Sequence, residues 1–533
     1  MTTEDLRRIL EETPDDFDPE LDYHSSSGSE SDEDDEDSGR DETLGGGDSG
    51  KWSYTRKSSD VTQFHKVSGL LTSGRLENPI NFFNMIFSSS LLVFLATNIN
   101  RYAKMLLESN EKIHARITKW KDITVSEFRV FLGLLFHMGT IRCNRFEDYW
   151  STDEQFDMKY FPKHMARDRF LLILRCLNFY DDQAGENRLN KISGLVKIFN
   201  KIMSEVYYPG KVLCIDESLV LWRGRLSFRQ FMKGKANKYG VKLYLLTDQF
   251  GCVLKIVVYG GKCDLELGGK NHVTKVVKKL LQGKLGVGHA VYMDNFYNSV
   301  ELAEYLVDCN TYVTGTLRSN RKENPVEILN KKLTKQEKIS MFTDSGICVT
   351  KWNDRREVLM ISSEHDGEWE EYTRSDNVIK TKPRVVLNYN KYMGGVDKHD
   401  QMMAYYNPEH KTLRWYKKLG VHIFSTIMCN AHSLYNRYGE KPMPLFDFRQ
   451  MIIRALVSSQ QRSNSLPSTL VERHASFKLP RDPKTNRLKR KRCVVCWKTN
   501  NKRVDTGDYC PKCPGQPGLC QGLCFVKYHR GLS

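Results

Sequence analysis

Between residues 75 and 210 apolar residues recur at helical spacing. SSSLLVFLATNINRYAKMLL and RFLLILRCLNFY repeat them three and four positions apart, and SEFRVFLGLLFHMG opens on a Ser and a Glu, a helix N-terminal signature. From about 211 the period changes. KVLCIDESLVLW, YGVKLYLLTD and CVLKIVVYGG are β-branched and apolar runs joined by turns that include DQFG, which predicts three consecutive strands. A helix over HVTKVVKKLLQG, a strand over AVYMD, a helix over SVELAEYLVD and a strand over TYVTGTL follow. That order, an antiparallel meander and then βα units, is the order of an RNase H-like α/β core, in which the first and fourth strands are neighbours.

The flanking segments read differently. Residues 1–50 hold 19 acidic residues against 3 arginines in a Ser/Gly-rich stretch that cannot bury a core, and a disordered acidic region is expected over 1–74. Ser29 and Ser31 each precede an acidic residue by three positions, a setting for acidophilic phosphorylation. Helical spacing marks a first helical part over 75–210, and the first part of the RNase H-like domain occupies 211–320. Residues 321–383 contain SMFTDSGICVTKWNDRREVLMISS, short strands joined by turns such as NDRR, so a β-rich insertion domain is expected there. The core resumes over 384–406 and helical spacing returns over 407–458. A polar linker with a basic run is expected over 459–490, then a cysteine-rich domain over 491–533.

Charge sharpens this picture. The chain carries a net +16, yet beyond residue 50 it holds 78 basic against 46 acidic residues. A body that basic is expected to bind a polyanion, since each neutralised phosphate releases counterions. The first residues are acidic, unlike a secretory leader, and no run reaches the roughly 18 apolar residues of a membrane span, so no membrane partner is expected. Of 14 cysteines, eight are scattered and six crowd into the last 41 residues, which points to reduced thiols and metal ligation in an intracellular chain.

Three constellations carry chemistry. Asp216 and Asp294 interrupt apolar strands, and Asp397 and Asp400 lie one helical turn apart after a glycine pair. Carboxylates are costly in apolar strands unless something pairs with them, and converging hard oxygen ligands suit Mg²⁺ or Mn²⁺. Such a set serves two-metal chemistry on phosphodiesters. The second constellation is Cys493, Cys496, Cys510, Cys513, Cys520, Cys524 and His529, a strong zinc pattern. Seven ligands exceed one tetrahedral Zn²⁺ site and fall one short of two. Two zincs in a cross-braced module are expected, with a single-zinc ribbon using the two CxxC pairs as the alternative.

The third is basic-aromatic interleaving. Arg223, Arg225, Arg229, Lys233, Lys235 and Lys238 follow Asp216. Arg318 and Arg321 follow the fifth strand, and Arg414, Trp415, Lys417 and Lys418 lie further on. Cations meet phosphates and aromatic rings stack on exposed bases. The run Arg487 to Arg492 serves nuclear import or DNA contact. His399 reads as a surface or hydrogen-bonding histidine, not a ligand.

Taken together, CIDESLVLW with its following GR, GVKLY, MDNFY, the GT…R…NR series, YNKYMGGVDKHDQM and the terminal cysteines make the chain from about residue 75 resemble a piggyBac-family transposase. The resemblance implies an RNase H-like domain inside a split helical dimerisation and DNA-binding domain, with a zinc-binding tail. The family's catalytic aspartates fall on Asp216, Asp294 and Asp397, and Asp400 matches a further aspartate. Cut-and-paste transposition of double-stranded DNA at TTAA targets by a nuclear homodimer is implied. Water would nick the transposon ends, the freed 3′-hydroxyls would form hairpins, and the reopened ends would attack target DNA. Arg318 and Arg321 would serve target capture. A domesticated DNA- or chromatin-binding relative without transposition is the alternative, and a nuclease without strand transfer keeps the same core.

Overall fold

Helices form where the 3.6-residue period ran: α1 (Pro79–Ile86), α2 (Ser89–Glu108), α3 (Val125–Thr140), α4 (Arg167–Cys176) and α5 (Asn190–Val206). The computed structural model describes residues 51–56, 63–72, 76–109, 115–181, 188–232, 238–264, 266–373, 377–412, 414–458, 476–483, 485–501, 503–511, 513, 515–520 and 523–529. Ser29, Ser31, Lys233 and Lys235 lie outside them. The helix cap expected at Ser126 sits two residues earlier. Thr124 accepts the backbone N–H of Glu127, three positions on, as an N-cap residue does, while the Glu127 carboxylate is held by Arg169.

The strands are β1 (Val212–Leu221), β2 (Tyr239–Asp248), β3 (Val253–Val258), β4 (Ala290–Met293) and β5 (Tyr312–Thr316), with α6 (His272–Leu281) and α7 (Val300–Asp308) as crossovers. β1 pairs antiparallel with β2 and parallel with β4, and β4 pairs parallel with β5. The first and fourth strands are therefore neighbours, as the element order requires.

Residues 321–383 are β-rich, but they do not stand apart. β6 (Lys338–Phe342), β7 (Cys348–Asn353) and β8 (Glu357–Ser362) continue the central sheet, because β8 pairs with β5. The added strands satisfy backbone groups that would otherwise line an open sheet edge. Among the described residues of this insertion only β9 (Trp369–Thr373) and β10 (Ile379–Pro383) pair apart from that sheet, and they lead into α8 (Arg384–Tyr392) and α9 (Gly395–Tyr405).

The last helices, α10 (Trp415–Tyr438) and α11 (Leu445–Val457), close on the first ones. α10 packs on α1, and α11 on α1 and α3, so sequence-distant halves share one helical core. Phe424 of α10 lies against Phe87, Phe128 and Phe179. Among the described residues no single helix is long and apolar enough to cross a membrane. α1 and α2 qualify only as a pair bent by 56°, and their Phe82, Phe83, Ile86 and Leu91 are fully buried.

Two expected boundaries move. Disorder does not extend through residue 74: Ser53 bridges Phe342, the Trp52 indole donates to the Glu323 carbonyl, and Gly69–Leu70 pairs with Tyr207–Tyr208. Acidic low complexity ends at 50, and the anchors after it are apolar or aromatic. The cysteine-rich unit likewise starts before 491. The chain divides into two compact units between Val457 and Ser458, and Phe477 and Lys478 of the expected linker pair with Tyr509 and Asp508 of the tail.

A buried ion pair links α10 to the end of β2. Arg437 Nη1 donates to Asp248 Oδ2 at 2.6 Å, and the Tyr207 hydroxyl donates to the same oxygen at 3.0 Å. Asp248 Oδ1 accepts the N–H groups of Phe250 and Cys252, both at 2.9 Å. Asp248 is 2% exposed, so removing its partner strands a charge. Arg437→Met is expected to cost about 3–5 kcal/mol in urea unfolding; a loss below about 1 kcal/mol, the range of an exposed pair, would contradict this role.

Candidate functional site

The sheet brings Asp216 and Asp294 to one end. Ile215 of β1 faces Met293, the last residue of β4, so the next residue of β1 and the first residue past β4 are both aspartates. The backbone after β4 is pinned by Asn298, whose amide donates to the carbonyls of Met293, Asp294 and Thr316 at 3.0, 3.1 and 2.9 Å. Gly315 permits this, because a Cβ there would lie 1.9 Å from the Met293 oxygen and 2.2 Å from the Asn298 amide.

Alternation along β1 puts Cys214, Asp216 and Ser218 on one face. Both neighbours of Asp216 on that face touch the α8–α9 segment. The Cys214 thiol donates to the Met393 carbonyl at 2.7 Å, and the Ser218 hydroxyl donates to Asp400 Oδ1 at 2.7 Å. Gly395, at the start of α9, sits so close that a Cβ would meet Thr247 Oγ1 at 2.4 Å and the Asp248 carbonyl at 2.7 Å. Asp397 is exposed one turn before Asp400. The four sequence-predicted carboxylates thus come from β1, the end of β4 and the first turns of α9. Asp400 is already engaged by Ser218, which ties α9 to β1.

Electrostatics add residues that the sequence reading missed. Burial, then Glu217, pushes the Asp294 carboxyl up; the Phe296 N–H, Arg318 and Lys242 oppose this. Glu217 accepts from the Tyr297 hydroxyl at 2.8 Å. That hydroxyl is held well above its usual pKa by burial, Glu217 and Asp216. Tyr389 of α8 is pushed up to about 12, chiefly by burial, with Asp294 and Asp216 adding to it. Lys242 is 9% exposed, with its ammonium 4.4 Å from the centre of the Phe296 ring. An acid beside Asp216 in CIDESL and a tyrosine in MDNFY were the available signals.

Asp216 and Asp294 are half-buried and Asp397 is exposed; among the described residues their oxygens do not close within 4.8 Å of one another as the tail thiols do, but carboxylates are the hard oxygen donors a divalent cation takes. Asp216, Asp294 and Asp397 fit Mg²⁺ or Mn²⁺ in donor type. The Asp216 carboxylate accepts the Glu217 N–H at 2.8 Å, and Asp294 accepts the Phe296 N–H at 2.9 Å, which fixes both side chains.

The basic residues divide into two kinds. Arg223, Arg225 and Arg229 are exposed just after β1. Arg318 Nε donates to the Asn295 side chain at 3.3 Å and Arg321 Nη2 to the Phe296 carbonyl at 2.6 Å, so both arginines flank the loop after Asp294. The third run turns inward instead. Trp415 is half-buried edge-on to Phe228, with ring centres 5.1 Å apart. Lys417 is buried on the Arg175 carbonyl, and Lys418 pairs with Glu409 at 3.6 Å. His399 is buried against the Thr426 hydroxyl, and burial pushes it down to about 3.

In the tail unit, Cys493, Cys496, Cys520 and Cys524 bring their sulfurs within 4.8 Å of one another. The single-ribbon alternative, which joined the two CxxC pairs, is not what forms: Cys510 and Cys513 stand outside this group. The Val494 N–H bonds to the Gly518 carbonyl, which carries Cys520 back to the first pair. Burial raises Cys520 to about 12 and Cys524 to about 11, with neighbouring thiols adding to both. Against burial, hydrogen bonds, first from the Cys496 and Cys520 backbone, lower Cys493 to about 7, and four sulfurs so placed fit one tetrahedral Zn²⁺. The His529 side chain lies outside the described residues.

Comparison with known proteins bears on this geometry. A family model described as Transposase IS4 matches residues 78–432. Human PiggyBac transposable element-derived protein 3 is 27% identical over 349 residues, 62% of this chain and 58% of that protein. The chain thus aligns to under two thirds of that relative. Human PiggyBac transposable element-derived protein 2 is 25% identical over 440 residues, covering 79% and 72%. In fold, the chain is similar to a piggyBac transposase from a cryo-EM synaptic complex with hairpin DNA, with a TM-score of 0.64 and 23% identity, covering 86% of this chain and 98% of the other.

Two outcomes follow. Because the folded state raises the Asp294 pKa, it binds that proton more readily than the unfolded chain does. The charge therefore costs stability above the folded pKa, and the cost disappears as pH falls through it. At neutral pH without divalent cation, Asp294→Asn is expected to melt above wild type. Added Mg²⁺ should then raise the melting temperature of wild type more than that of the variant; equal shifts would contradict the cation site. For the tail, atomic emission on the full chain should find zinc that Cys520→Ser reduces and Cys263→Ser, at an exposed thiol, leaves unchanged.

Proposed function

This chain belongs to the IS4 transposase family in its piggyBac branch, and from that membership we propose that it is a DNA transposase that cuts and joins phosphodiesters at transposon ends. The observation that carries the proposal is the register of β1 on β4, which sets Asp216 beside the end of the strand that leads into Asp294, with α9 anchored alongside through Ser218 and Asp400. A protein that only binds DNA has no use for a half-buried carboxylate such as Asp294, which its surroundings hold against ionisation.

Asp216, Asp294 and Asp397 would hold the cations, Mg²⁺ or Mn²⁺, which supply Lewis-acid polarisation of the scissile phosphate and an ionised water or 3′-hydroxyl at neutral pH. The protein's own groups do the rest. Asn298 and the Phe296 N–H fix Asp294 so that no reorganisation is needed when charge develops. Lys242 and Arg318 offset negative charge around Asp294. Arg223, Arg225 and Arg229 offer cations to the phosphate backbone, which positions the duplex without reading its sequence. Arg318 and Arg321 lie where a second duplex could be held beside the carboxylates, the requirement for capturing target DNA. Insertion at TTAA, a homodimeric working form and a nuclear location, served by the exposed Arg487 to Arg492 run, complete the proposal.

A plasmid excision assay in cells tests it. Replacing Asp216, Asp294 or Asp397 by Asn is expected to lower excision by at least about a hundredfold, since each loss removes stabilisation of transition-state charge. Affinity for DNA should change little, because it rests mainly on phosphate contacts. Wild-type excision by any of these variants would remove that residue from the site. A wild-type chain that binds DNA yet never excises would favour the domesticated reading, and cleavage without joined product would favour a nuclease.

A further inference from the structure

A second site lies on the face of the central sheet away from Asp216. Leu246 of β2 pairs with Ile215, one residue out of step with Asp216, and so points to the opposite face. A cavity of about 330 Å³ opens there between α5, β2, β3 and the segment after α6. Its floor is apolar, from Met203, Leu246, Leu254 and Leu280, and its rim carries Lys255 and Lys284.

Lys255 is partly offset by Glu266, whereas the charges that act on Lys284 are Lys255 and Lys66, both cations. The Lys284 ammonium lies 3.9 Å from the centre of the Tyr208 ring, and Lys66 approaches the same ring at 5.7 Å. Among the described residues no carboxylate or carbonyl accepts from the Lys284 ammonium; the Lys284 backbone N–H bonds to the Leu281 carbonyl. Burial, then Lys255 and Lys66, push it down to about 8. Lys255 donates to the Lys279 carbonyl at 2.5 Å, where it caps α6, and keeps further N–H donors. A desolvated ammonium that faces further cations is unfavourable, and a bound dianion relieves it.

We propose that this cavity binds a phosphorylated ring compound of nucleotide size, its phosphate between Lys284 and Lys255 and its ring on the apolar floor. The volume lies at the small end of ligand pockets, roughly 300–1,000 Å³. More than one converging cation favours a phosphate dianion over a single carboxylate. The ring's source is either a free nucleotide or a nucleotide within a DNA strand. The proposal is independent of the chemistry assigned to the aspartates, which occupy the other face.

Calorimetric titration of the full chain with adenosine diphosphate, inorganic phosphate and a short single-stranded oligonucleotide tests it, using wild type, Lys284→Gln and Lys284→Arg. Saturable binding that Lys284→Gln weakens at least tenfold and Lys284→Arg retains is expected for at least one ring-bearing probe. Dependence on Lys284 for adenosine diphosphate assigns the free nucleotide, and dependence for the oligonucleotide alone assigns the strand. Lys284→Gln should melt no lower than wild type, since it removes a buried charge, and the binding probe should raise the melting temperature of wild type only. Binding equal in Lys284→Gln and wild type for every probe, or no saturable binding and no thermal shift at millimolar concentration, overturns the proposal.

Discussion

Parallel pairing of β1 with β4 is the constraint on which the candidate active site depends. Because Ile215 is level with Met293, Asp216 on β1 and Asp294, one residue past the end of β4, are delivered together, and Asn298 pins the turn that begins there. Strand-borne ligands are held more rigidly than loop-borne ones, and a site held in place spends no free energy on reorganisation during reaction. The same pairing brings Glu217 near Asp294, and burial together with the Glu217 charge raises the Asp294 pKa.

The second support is the close approach of α9. A side chain at Gly395 would collide with Thr247 and Asp248, so only glycine lets the helix start against β1 and β2. Ser218 then accounts for Asp400: its hydroxyl takes up one carboxylate oxygen and holds α9 along β1, while Asp397 remains exposed one turn earlier. The Arg437–Asp248 pair anchors the end of β2 to α10. Helical core, sheet and site are thereby one mechanical unit, and catalytic geometry inherits the stability of the fold.

Much of this was legible in the sequence because burial leaves a period. Strand runs around Asp216 and Asp294 were apolar on both sides, and polar residues in such runs stand out. What escaped was tertiary. Trp415 and Lys417 look like a nucleic-acid stripe in one dimension, yet Phe228 and the Arg175 carbonyl absorb them. Glu217 alternates to the face opposite Asp216 and carries no spacing signal; its role emerges only from Tyr297 and Asp294. Residues 51–72 follow an acidic tract, so their few anchors, Trp52, Leu70 and Phe64, whose ring lies 4.8 Å from that of His289, were lost in its composition. Thiol pairing in the tail was equally hidden, since spacing cannot say that Cys493 and Cys496 join Cys520 and Cys524 across the Cys510–Cys513 pair.

The central claim, that Asp216, Asp294 and Asp397 hold one divalent cation centre, is tested most directly by letting the metal mark its ligands. With Fe²⁺ in place of Mg²⁺, ascorbate and peroxide cut a protein backbone beside the bound ion. The account predicts cuts near residues 216, 294 and 397 together, all suppressed by excess Mg²⁺. Cuts confined to one of these positions, or a pattern that Mg²⁺ does not suppress, would contradict it.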